Sequence, residues 1–546
     1  MNAHLQRRQL LGAAAGLGLT SLAGRALGHT PATALTPAVK TTNGPVIGLV
    51  EGGVQTFRGL RYGAPPVGEL RWAPPARPAP WTEPALAARY GPSAIQLSSG
   101  GSAVRYPGAI GPALDQLMGS REDIVRQSED CLFLNVWTPA LDARGRPVMV
   151  WFHGGGYNYG SGSWATYDGA NLARNHDVVV VTVNHRLNAF GYLHLAELGG
   201  HPASGNAGML DLVLVLEWVR DNIAAFGGDP GNVTVFGQSG GGSKTSMTLA
   251  MPAADKLRHK AIIQSGPGIR AGDPDRATEQ ARTVMRTLGV SDIKALREVP
   301  YDRILAAARN QENPGGMGGL RWGPVIEASS IPAHPFEPVA NPLARDIPLM
   351  VGVTSDEQTM YNVGFDWWGK QTEAELLGRL KPLYGERAEA LIAAARKRYP
   401  NDNPSYLFTD ITSKGPFISS VTLAERKAAQ PAPVYMFIFE WGAPVEGGML
   451  RSPHTMELPF VFDNVDKGPL LLGDAPATKA LGRAVSTAWT SFARTGNPNA
   501  ARSGLPRWPA YEPARRATMV FNTRSRVELD PYSEFRALMP ASNRAL

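Results

Sequence analysis

The sequence predicts an α/β protein with a mostly parallel, doubly wound central sheet and helices on both of its faces. Short apolar runs rich in β-branched residues recur along the chain, and their hydrophobicity is continuous rather than alternating. Continuous hydrophobicity is typical of parallel strands that are buried on both faces. Helix-like stretches separate these runs, and this alternation favours a doubly wound sheet. No repeat or low-complexity linker divides the chain, so we expect one large domain over residues 35–546.

Six apolar runs are predicted to be central strands. They are residues 147–152, 178–183, 233–236, 261–263, 347–353 and 434–439. Residues 206–226 carry apolar side chains at helical spacing and stop at Gly227 and Gly228, which is a typical helix end. Residues 243–249 are compatible with a second helix. The 60 glycines and 45 prolines show no three-residue repeat and indicate many short loops.

The composition argues against nucleic-acid binding and against a disulfide-stabilised fold. Arg7, Arg8 and Arg25 account for three of the net charge of +7, and the remaining +4 is scattered without a run of like charges. Cys131 is the single cysteine, so neither an intramolecular disulfide nor a cysteine–histidine zinc site can be built. We expect no metal and no cofactor.

The N-terminus, residues 1–28, is predicted to be a signal peptide. The adjacent Arg7 and Arg8 precede an apolar run over residues 10–22 and then small residues, an order typical of twin-arginine export signals. The run is too short to cross a bilayer of about 30 Å, so a permanent membrane anchor is not expected. We expect cleavage between Gly28 and Ala34 and a soluble protein, periplasmic or secreted.

The strongest catalytic motif is GQSGG at residues 237–241, which has the form G-x-S-x-G and lies between a predicted strand and a helix-like stretch. Small residues on both sides of Ser239 let a strand turn sharply into a helix and expose the strained serine hydroxyl. Bulk at Gly237 or Gly241 would block the turn. The alternative interpretation is a glycine-rich turn with a solvated serine.

A second motif, HGGGY at residues 153–157, follows the predicted strand 147–152. Its glycines leave backbone N–H groups uncovered, and donors fixed around a developing oxyanion lower the barrier by about 3 to 4 kcal/mol each. We assign the N–H groups of Gly155 and Gly156, together with that of Gly240, to an oxyanion hole. A phosphate-binding loop is disfavoured because no Gly-Lys-Ser/Thr ending follows.

A serine nucleophile needs a base, and histidine is the usual one near neutral pH. In this type of fold the order along the chain is serine, acid, histidine, so the base must follow Ser239. His454, in a loop after the predicted strand 434–439, is our candidate base. His259 lies in a basic stretch and is interpreted as solvated, and His334 beside Pro335 as a turn residue.

The acid must orient the imidazole and stabilise its protonated form. Glu357 and Asp356 both follow the predicted strand 347–353 and precede His454. Spacing alone does not separate these two carboxylates. Asp463 is a more remote candidate.

With these residues in place, the chain resembles the type B carboxylesterase family of α/β-hydrolases, which also contains the cholinesterases. The resemblance covers nearly everything after about residue 39. Its motifs are FRGLRYGAPPVG at 57–68, LRW at 70–72, SEDCLFLN at 128–135, HGGGY at 153–157, NHR at 184–186, FGGDP at 226–230, QSG at 264–266, DE at 356–357, and His454 with ELPF at 457–460.

The resemblance implies an α/β-hydrolase fold with gorge-forming insertions and a serine carboxylesterase acting on a small-molecule ester. It implies Ser239 as nucleophile, Glu357 rather than Asp356 as acid and His454 as base. An amidase or lactonase would use the same groups, and a non-catalytic binding protein of this fold would show a broken triad. The residues leave the natural ester and the oligomeric state open.

Three departures from the family pattern bear on function. The family commonly pairs the cysteine of its Glu-Asp-Cys motif with an earlier cysteine, but that place, near Ala94, is not cysteine here, so Cys131 is expected to be a free, buried thiol. The residue before the nucleophile is usually glutamate, and neutral Gln238 is expected to weaken any preference for cationic esters. The glycine-rich segment 314–319 and the pair Trp367-Trp368 lie where variable gorge loops occur.

Overall fold

The computed structural model describes residues 34–96, 105–118, 126–308, 322–501 and 503–539. The predicted signal peptide, residues 1–28, and the glycine-rich segment 314–319 lie outside the described residues. No helix within the described part of the chain is both long and apolar enough to cross a membrane.

Most strands belong to one large sheet. The strands are β1 (Ala34–Leu35), β2 (Val39–Lys40), β3 (Pro45–Ile47), β4 (Leu49–Glu51), β5 (Val54–Arg61), β6 (Ala85–Leu86), β7 (Phe133–Thr138), β8 (Arg146–Phe152), β9 (Val179–Val183), β10 (Gly228–Gln238), β11 (Lys260–Gln264), β12 (Leu349–Thr354), β13 (Val434–Phe439), β14 (Ala517–Phe521) and β15 (Arg526–Leu529).

The order of strands in the large sheet is β1-β4-β5-β7-β9-β8-β10-β11-β12-β13-β14-β15. Every pairing from β9 to β14 is parallel, and the strands at both edges are antiparallel. β2, β3 and β6 form a separate small sheet. All six predicted strands are present in the parallel centre, which confirms the predicted architecture.

Helices lie between most of the strands and after the last one. They are α1 (Ile110–Met118), α2 (Ala170–His176), α3 (Asn188–Tyr192), α4 (Ala207–Asn222), α5 (Gly240–Thr248), α6 (Pro274–Leu288), α7 (Ile293–Glu298), α8 (Tyr301–Ala307), α9 (Thr359–Asn362), α10 (Glu373–Tyr384), α11 (Ala388–Arg398), α12 (Pro404–Ala428), α13 (Val445–Gly448), α14 (Leu458–Val461), α15 (Pro469–Leu472), α16 (Pro476–Thr495) and α17 (Ser533–Leu538).

The predicted helix over residues 206–226 is present but shorter as an α-helix than expected. α4 ends at Asn222, and a 3₁₀ turn over Ile223–Phe226 completes the stretch. Gly227, with φ of 79°, then terminates it in the left-handed region that favours glycine.

The large sheet separates two apolar cores. Successive side chains of a strand point to opposite faces. In β8, Val148, Val150 and Phe152 join one core, whereas Met149 and Trp151 join the other. Because both faces are buried, residues 147–152 of this strand are all apolar, which explains the continuous hydrophobicity.

One helix on each face illustrates the layering. Leu212 and Leu216 of α4 belong to the first core, and Val485, Trp489 and Phe492 of α16 belong to the second. Since β8, β10, β12 and β13 run parallel, their carboxyl ends meet at one edge of the sheet, where ligands bind in such folds. The predicted catalytic residues follow these strand ends.

Candidate active site

The turn between β10 and α5 holds Ser239 in a strained conformation. Ser239 has φ of 58° and ψ of −125°, which a residue with a Cβ rarely adopts. Such strain costs about 1 to 3 kcal/mol and persists only where the surroundings enforce it. Here the Ser239 N–H donates to the Gln264 carbonyl at 2.8 Å, and the Ser239 carbonyl accepts from the Ser243 N–H at 3.1 Å. The backbone N–H and the backbone carbonyl of Ser239 are therefore both fixed by hydrogen bonds.

The glycines of the G-x-S-x-G motif are required by close backbone contacts. A Cβ on Gly241 would lie 1.9 Å from the Phe152 carbonyl oxygen, and one on Gly237 would lie 2.4 Å from the carbonyl carbon of Gly241. These positions leave no room for any side chain. The structure agrees with the expectation that bulk at either position blocks the turn.

The segment 153–157 lies directly against this turn. A Cβ on Gly240 would lie 2.4 Å from Gly156 Cα, and one on Gly154 would lie 3.5 Å from Ser239 Cβ. The two glycine-rich motifs, 84 residues apart in the chain, are therefore in contact. We call residues 153–157 the oxyanion loop, after the role predicted for them from the sequence.

Hydrogen bonds to two carbonyls orient the oxyanion loop. The Gly154 carbonyl accepts from His153 Nδ1 at 2.9 Å, and the Gly155 carbonyl accepts from the N–H groups of Asn158 and Tyr159, each at 3.2 Å. In a trans peptide the N–H points opposite to the carbonyl. The N–H groups of Gly155 and Gly156 therefore point away from these partners, and no acceptor among the described residues engages them.

Glu357 and His454 form a buried pair. His454 Nδ1 is hydrogen-bonded to Glu357 Oε2, and Glu357 Oε1 accepts from the Thr354 N–H at 2.8 Å. Because Nδ1 donates to the carboxylate, Nε2 carries the lone pair of the neutral ring. Burial lowers the pKa of His454. The charge and hydrogen bond of Glu357, together with the charge of Glu457, raise it by a larger amount, so the pKa lies above its ordinary value. The pair has the arrangement of a general base with its orienting acid.

Gln238 connects the serine turn to the imidazole. Its carboxamide Nε2 lies 3.1 Å from His454 Nε2 and 3.4 Å from His454 Nδ1. Within the described residues, His454 Nε2 is hydrogen-bonded to Gln238 and not to Ser239 Oγ. The residue next to the serine is thus in contact with the ring, a contact that the residue pattern around Gln238 does not indicate.

Asp356 has a different role from its neighbour Glu357. Its N–H donates to the Ser452 carbonyl at 3.1 Å, and its Oδ2 accepts from the Ser452 N–H at 3.4 Å. The guanidinium of Arg451 lies 3.8 Å from Asp356 Oδ1. Asp356 therefore binds the loop that carries His454, whereas Glu357 binds the ring itself. The geometry distinguishes two carboxylates that spacing had left equivalent.

The other candidates lie outside this arrangement. His259 is half-buried rather than solvated, and its Nδ1 accepts from the Val233 N–H at 3.1 Å. His334 Nδ1 accepts from the Ala271 N–H at 3.2 Å. Asp463 accepts from Asn175 Nδ2 at 2.7 Å.

Glu457, the first residue of the ELPF motif, is a buried acid to which the sequence analysis assigns no role of its own. Burial and the nearby Glu357 carboxylate raise the pKa of Glu457 to about 7. Its Oε1 accepts from Gln264 Nε2 at 3.1 Å, and Gln264 Oε1 accepts from Trp489 Nε1 at 3.1 Å. In the sequence, the sign that Glu457 lies near the site is its position three residues after His454.

Two of the departures from the family pattern, Cys131 and the pair Trp367-Trp368, lie within the described residues. Cys131 is a free, buried thiol, as expected, and burial raises its pKa. Trp367 and Trp368 pack together with ring centroids 6.0 Å apart, and Trp367 also contacts Phe408. Among the described residues, no group of three or more histidine, cysteine, aspartate or glutamate side chains is placed to hold a metal ion.

Comparison with known sequences shows a family match over nearly the whole chain. The sequence model described as the carboxylesterase family matches residues 35–537. The chain is 35% identical to para-nitrobenzyl esterase of Bacillus subtilis (strain 168), over 91% of this chain and 97% of that protein. It is 33% identical to phenmedipham hydrolase of Pseudarthrobacter oxydans, over 89% of this chain and 94% of that protein.

Comparison with solved structures shows the same likeness in three dimensions. A carboxylesterase from Geobacillus stearothermophilus is similar with a TM-score of 0.79 and 35% identity, covering 92% of this chain and 100% of that one. An esterase from Clostridium hathewayi, described as able to hydrolyse aliphatic aromatic polyesters, has a TM-score of 0.76 and 33% identity, covering 93% and 99% of the two chains. The fold is thus that of the α/β-hydrolase carboxylesterases.

Proposed function

We propose that this chain, which belongs to the carboxylesterase family and is a carboxylic ester hydrolase, cleaves its esters through an acyl-enzyme formed on Ser239. The single observation that carries the proposal is the contact chain Glu357–His454–Gln238, which brings a carboxylate-paired imidazole to the residue preceding the strained serine. Among the described residues, no carboxylate is hydrogen-bonded to the ring of His259 or His334, the other two histidines that follow Ser239.

In the proposed reaction, His454 Nε2 takes the proton of Ser239 Oγ as that oxygen attacks the ester carbonyl carbon. Glu357 keeps the proton on Nδ1 and stabilises the imidazolium. The carbonyl oxygen becomes an oxyanion that accepts from the N–H groups of Gly155, Gly156 and Gly240.

The tetrahedral intermediate then breaks its bond to the alcohol oxygen, and His454 returns the proton to the leaving alcohol. Water next attacks the acyl-enzyme with the same base and acid, which releases the carboxylic acid and restores Ser239. The Gln238 carboxamide donates to His454 Nε2 in the structure, so the proposed reaction requires it to give way to the Ser239 hydroxyl.

Covalent labelling tests the nucleophile. A fluorophosphonate probe is expected to label the protein stoichiometrically, and Ser239→Ala is expected to lose both labelling and hydrolysis of a para-nitrobenzyl ester. Ser486→Ala is the matched control, because Ser486 is a buried serine of α16 whose Oγ donates to its own helix at Gly482 O. A folded wild-type protein that takes up no probe would instead indicate a non-catalytic binding protein.

We propose neutral esters as the preferred substrates because Gln238 contributes no negative charge beside the acyl site. The test compares hydrolysis of an acylcholine with that of a neutral ester of matched acyl chain and size. Equal rates for the two would contradict this proposal. Adding the corresponding amide and a lactone to the panel separates an esterase from an amidase or lactonase that uses the same groups.

We also propose that residues 1–28 direct export by the twin-arginine route and that residues 35–546 form the single catalytic domain. Support comes from the paired Arg7 and Arg8 before an apolar run and from a free Cys131, which requires no disulfide to form after export. Mass spectrometry of the exported protein is expected to find a new N-terminus between Gly28 and Ala34. An intact Met1 on the exported protein would contradict the proposal.

A further inference from the structure

Lys244 is a buried lysine that the proposed reaction does not use. It lies in α5, five residues after Ser239, and it has no exposed surface. No carboxylate among the described residues forms an ion pair with it. A buried ammonium without a counter-charge is costly, and burial lowers the pKa of Lys244 to about 7. An apolar side chain of similar length would fill the same space at a lower free-energy cost.

The lysine contacts both ends of the oxyanion loop. At the start of the loop, Lys244 Nζ donates to the His153 carbonyl at 3.1 Å. At its end, the Tyr157 ring centroid lies 5.5 Å from Nζ, a distance suited to a cation–π contact. The Tyr157 hydroxyl is in turn hydrogen-bonded to Ser243 Oγ at 2.6 Å. The helix that begins at the nucleophile therefore contacts both ends of the loop that carries the proposed oxyanion donors.

We propose that Lys244 is a positioning residue that fixes the oxyanion loop against the nucleophile turn. This inference rests on the proposed function, in which Gly155 and Gly156 stabilise an oxyanion. Lys244 itself is fully buried, so its role is to act through the loop rather than on the substrate. Its bond to the His153 carbonyl sets the peptide plane where β8 leaves the sheet, and oxyanion donors are effective only when their positions are fixed in advance.

Lys244 is the group in this buried cluster that titrates near neutral pH. His153 lies at the end of β8, and His185 lies after β9 with its ring centroid 4.7 Å from that of His153. Burial lowers the pKa of both histidines well below the ordinary range, and the charge of Lys244 lowers it further. Burial raises the pKa of Tyr157, so its hydroxyl stays neutral.

The remaining charge near the cluster is already compensated. Arg186, next to His185, is paired with Asp211 of α4 at 2.6 Å. A protonated amine binds a carbonyl more strongly than a neutral one. We therefore expect kcat of the wild type to fall a few-fold as the pH rises through about 7 to 9, because Lys244 loses its proton there.

The first test compares Lys244→Met with Lys427→Met. Lys427 is an equally buried lysine of α12 whose Nζ donates to the Arg345 carbonyl at 3.1 Å, far from the oxyanion loop in the chain. For Lys244→Met we expect kcat for a para-nitrobenzyl ester to fall at least tenfold with KM within twofold of the wild type. For Lys427→Met we expect no change in kcat. A kcat for Lys244→Met within twofold of the wild type, or an equal fall in both variants, would overturn the inference.

Thermal melting separates positioning from a merely structural role. Lys244 is protonated in the unfolded chain up to about pH 10.4, but in the folded protein only below about pH 7. Between these values the unfolded state binds more protons, so the destabilising effect of the lysine is complete below pH 7 and vanishes as the pH rises. Lys244→Met is therefore expected to melt higher than the wild type at pH 6 while losing activity. A lower melting temperature would indicate a structural lysine.

Lys244→Gln gives a second variant in case the methionine variant does not fold. Its amide retains a donor for the His153 carbonyl but does not titrate, so we expect partial kcat and no decline between pH 7 and 9. Retention of the wild-type decline would overturn the assignment to Lys244. Ser239→Ala in the same assay isolates the proposed function, since activity in that variant would refute the acyl-enzyme on Ser239 rather than the role of Lys244.

Discussion

The two halves of the candidate site are built by different means. The half that would bind the oxyanion consists of backbone from the β8 and β10 ends, packed so closely that a Cβ on Gly241 would lie 1.9 Å from the Phe152 carbonyl oxygen. The half that supplies the base consists of side chains from loops after β12 and β13, joined by the hydrogen bond between Glu357 and His454. The backbone half leaves no room for a Cβ at Gly237, Gly240 or Gly241, whereas the side-chain half depends on charge and on the hydrogen bond between two loops.

The largest expected effect comes from adding one methyl group to the backbone half. Gly241→Ala places a Cβ inside the contact distance of the Phe152 carbonyl, so we expect activity to be lost and the protein to be recovered poorly folded. Gly378→Ala is the control, since this glycine lies in α10 with open space around its Cβ position, and alanine there should stabilise the helix by about 1 kcal/mol. Para-nitrobenzyl ester assays and urea unfolding check both variants. A fully active Gly241→Ala would contradict the steric argument.

The next effect comes from removing charge in the side-chain half without changing its shape. Glu357→Gln retains the size of the acid but loses the carboxylate that holds the proton on His454 Nδ1, so kcat is expected to fall by about 10³ to 10⁴. Circular dichroism should show an unchanged fold. A loss of less than tenfold would show that another group orients the ring.

A smaller effect is expected from the neighbouring carboxylate. Asp356→Asn can still accept from the Ser452 N–H, but it loses its charge next to Arg451, so the loop that carries His454 is held less firmly. We expect kcat to fall about tenfold. Measuring kcat for both variants in parallel tests whether the two carboxylates have different roles. A fall in kcat for Asp356→Asn as large as that for Glu357→Gln would contradict this difference.

The smallest effect is a shift along the pH axis. Gln238→Glu places a carboxylate about 3 Å from His454 Nε2, which favours the charged imidazolium and raises the pKa of His454 still further. Because the base must be neutral, the rising limb of kcat/KM should move to higher pH. Activity should therefore drop about tenfold at pH 6 and stay unchanged at pH 9. Superimposable profiles for the variant and the wild type would contradict the contact between Gln238 and the base.

The comparison also explains which residues could be found from the sequence. The backbone half is recognisable because its requirements are local: a strand followed by glycine two residues on either side of Ser239, or by three glycines after His153, leaves a direct trace in the residue order. The side-chain half is less visible, since Glu357 and His454 are 97 residues apart in the chain and spacing alone did not separate Glu357 from Asp356.

Buried polar residues outside the predicted triad are the hardest to interpret from the sequence. Lys244 lies among small residues and Glu457 follows His454 by three positions, and in neither place does the residue order show that the side chain is buried beside the site. Gln238 lies inside a motif, but its contact with His454 depends on the position of a loop 216 residues later in the chain.

The sequence by itself determined the parallel sheet, the position of Ser239 at a strand end and the glycines around it, because continuous hydrophobicity and the absence of Cβ atoms act over a few neighbouring residues. Only the tertiary structure decided that Glu357 faces the imidazole while Asp356 faces the backbone of Ser452, and that Lys244 lies beneath the oxyanion loop. The physical reason is that the direction of a side chain after a strand end is set by the loops packed against it, and those loops come from distant parts of the chain.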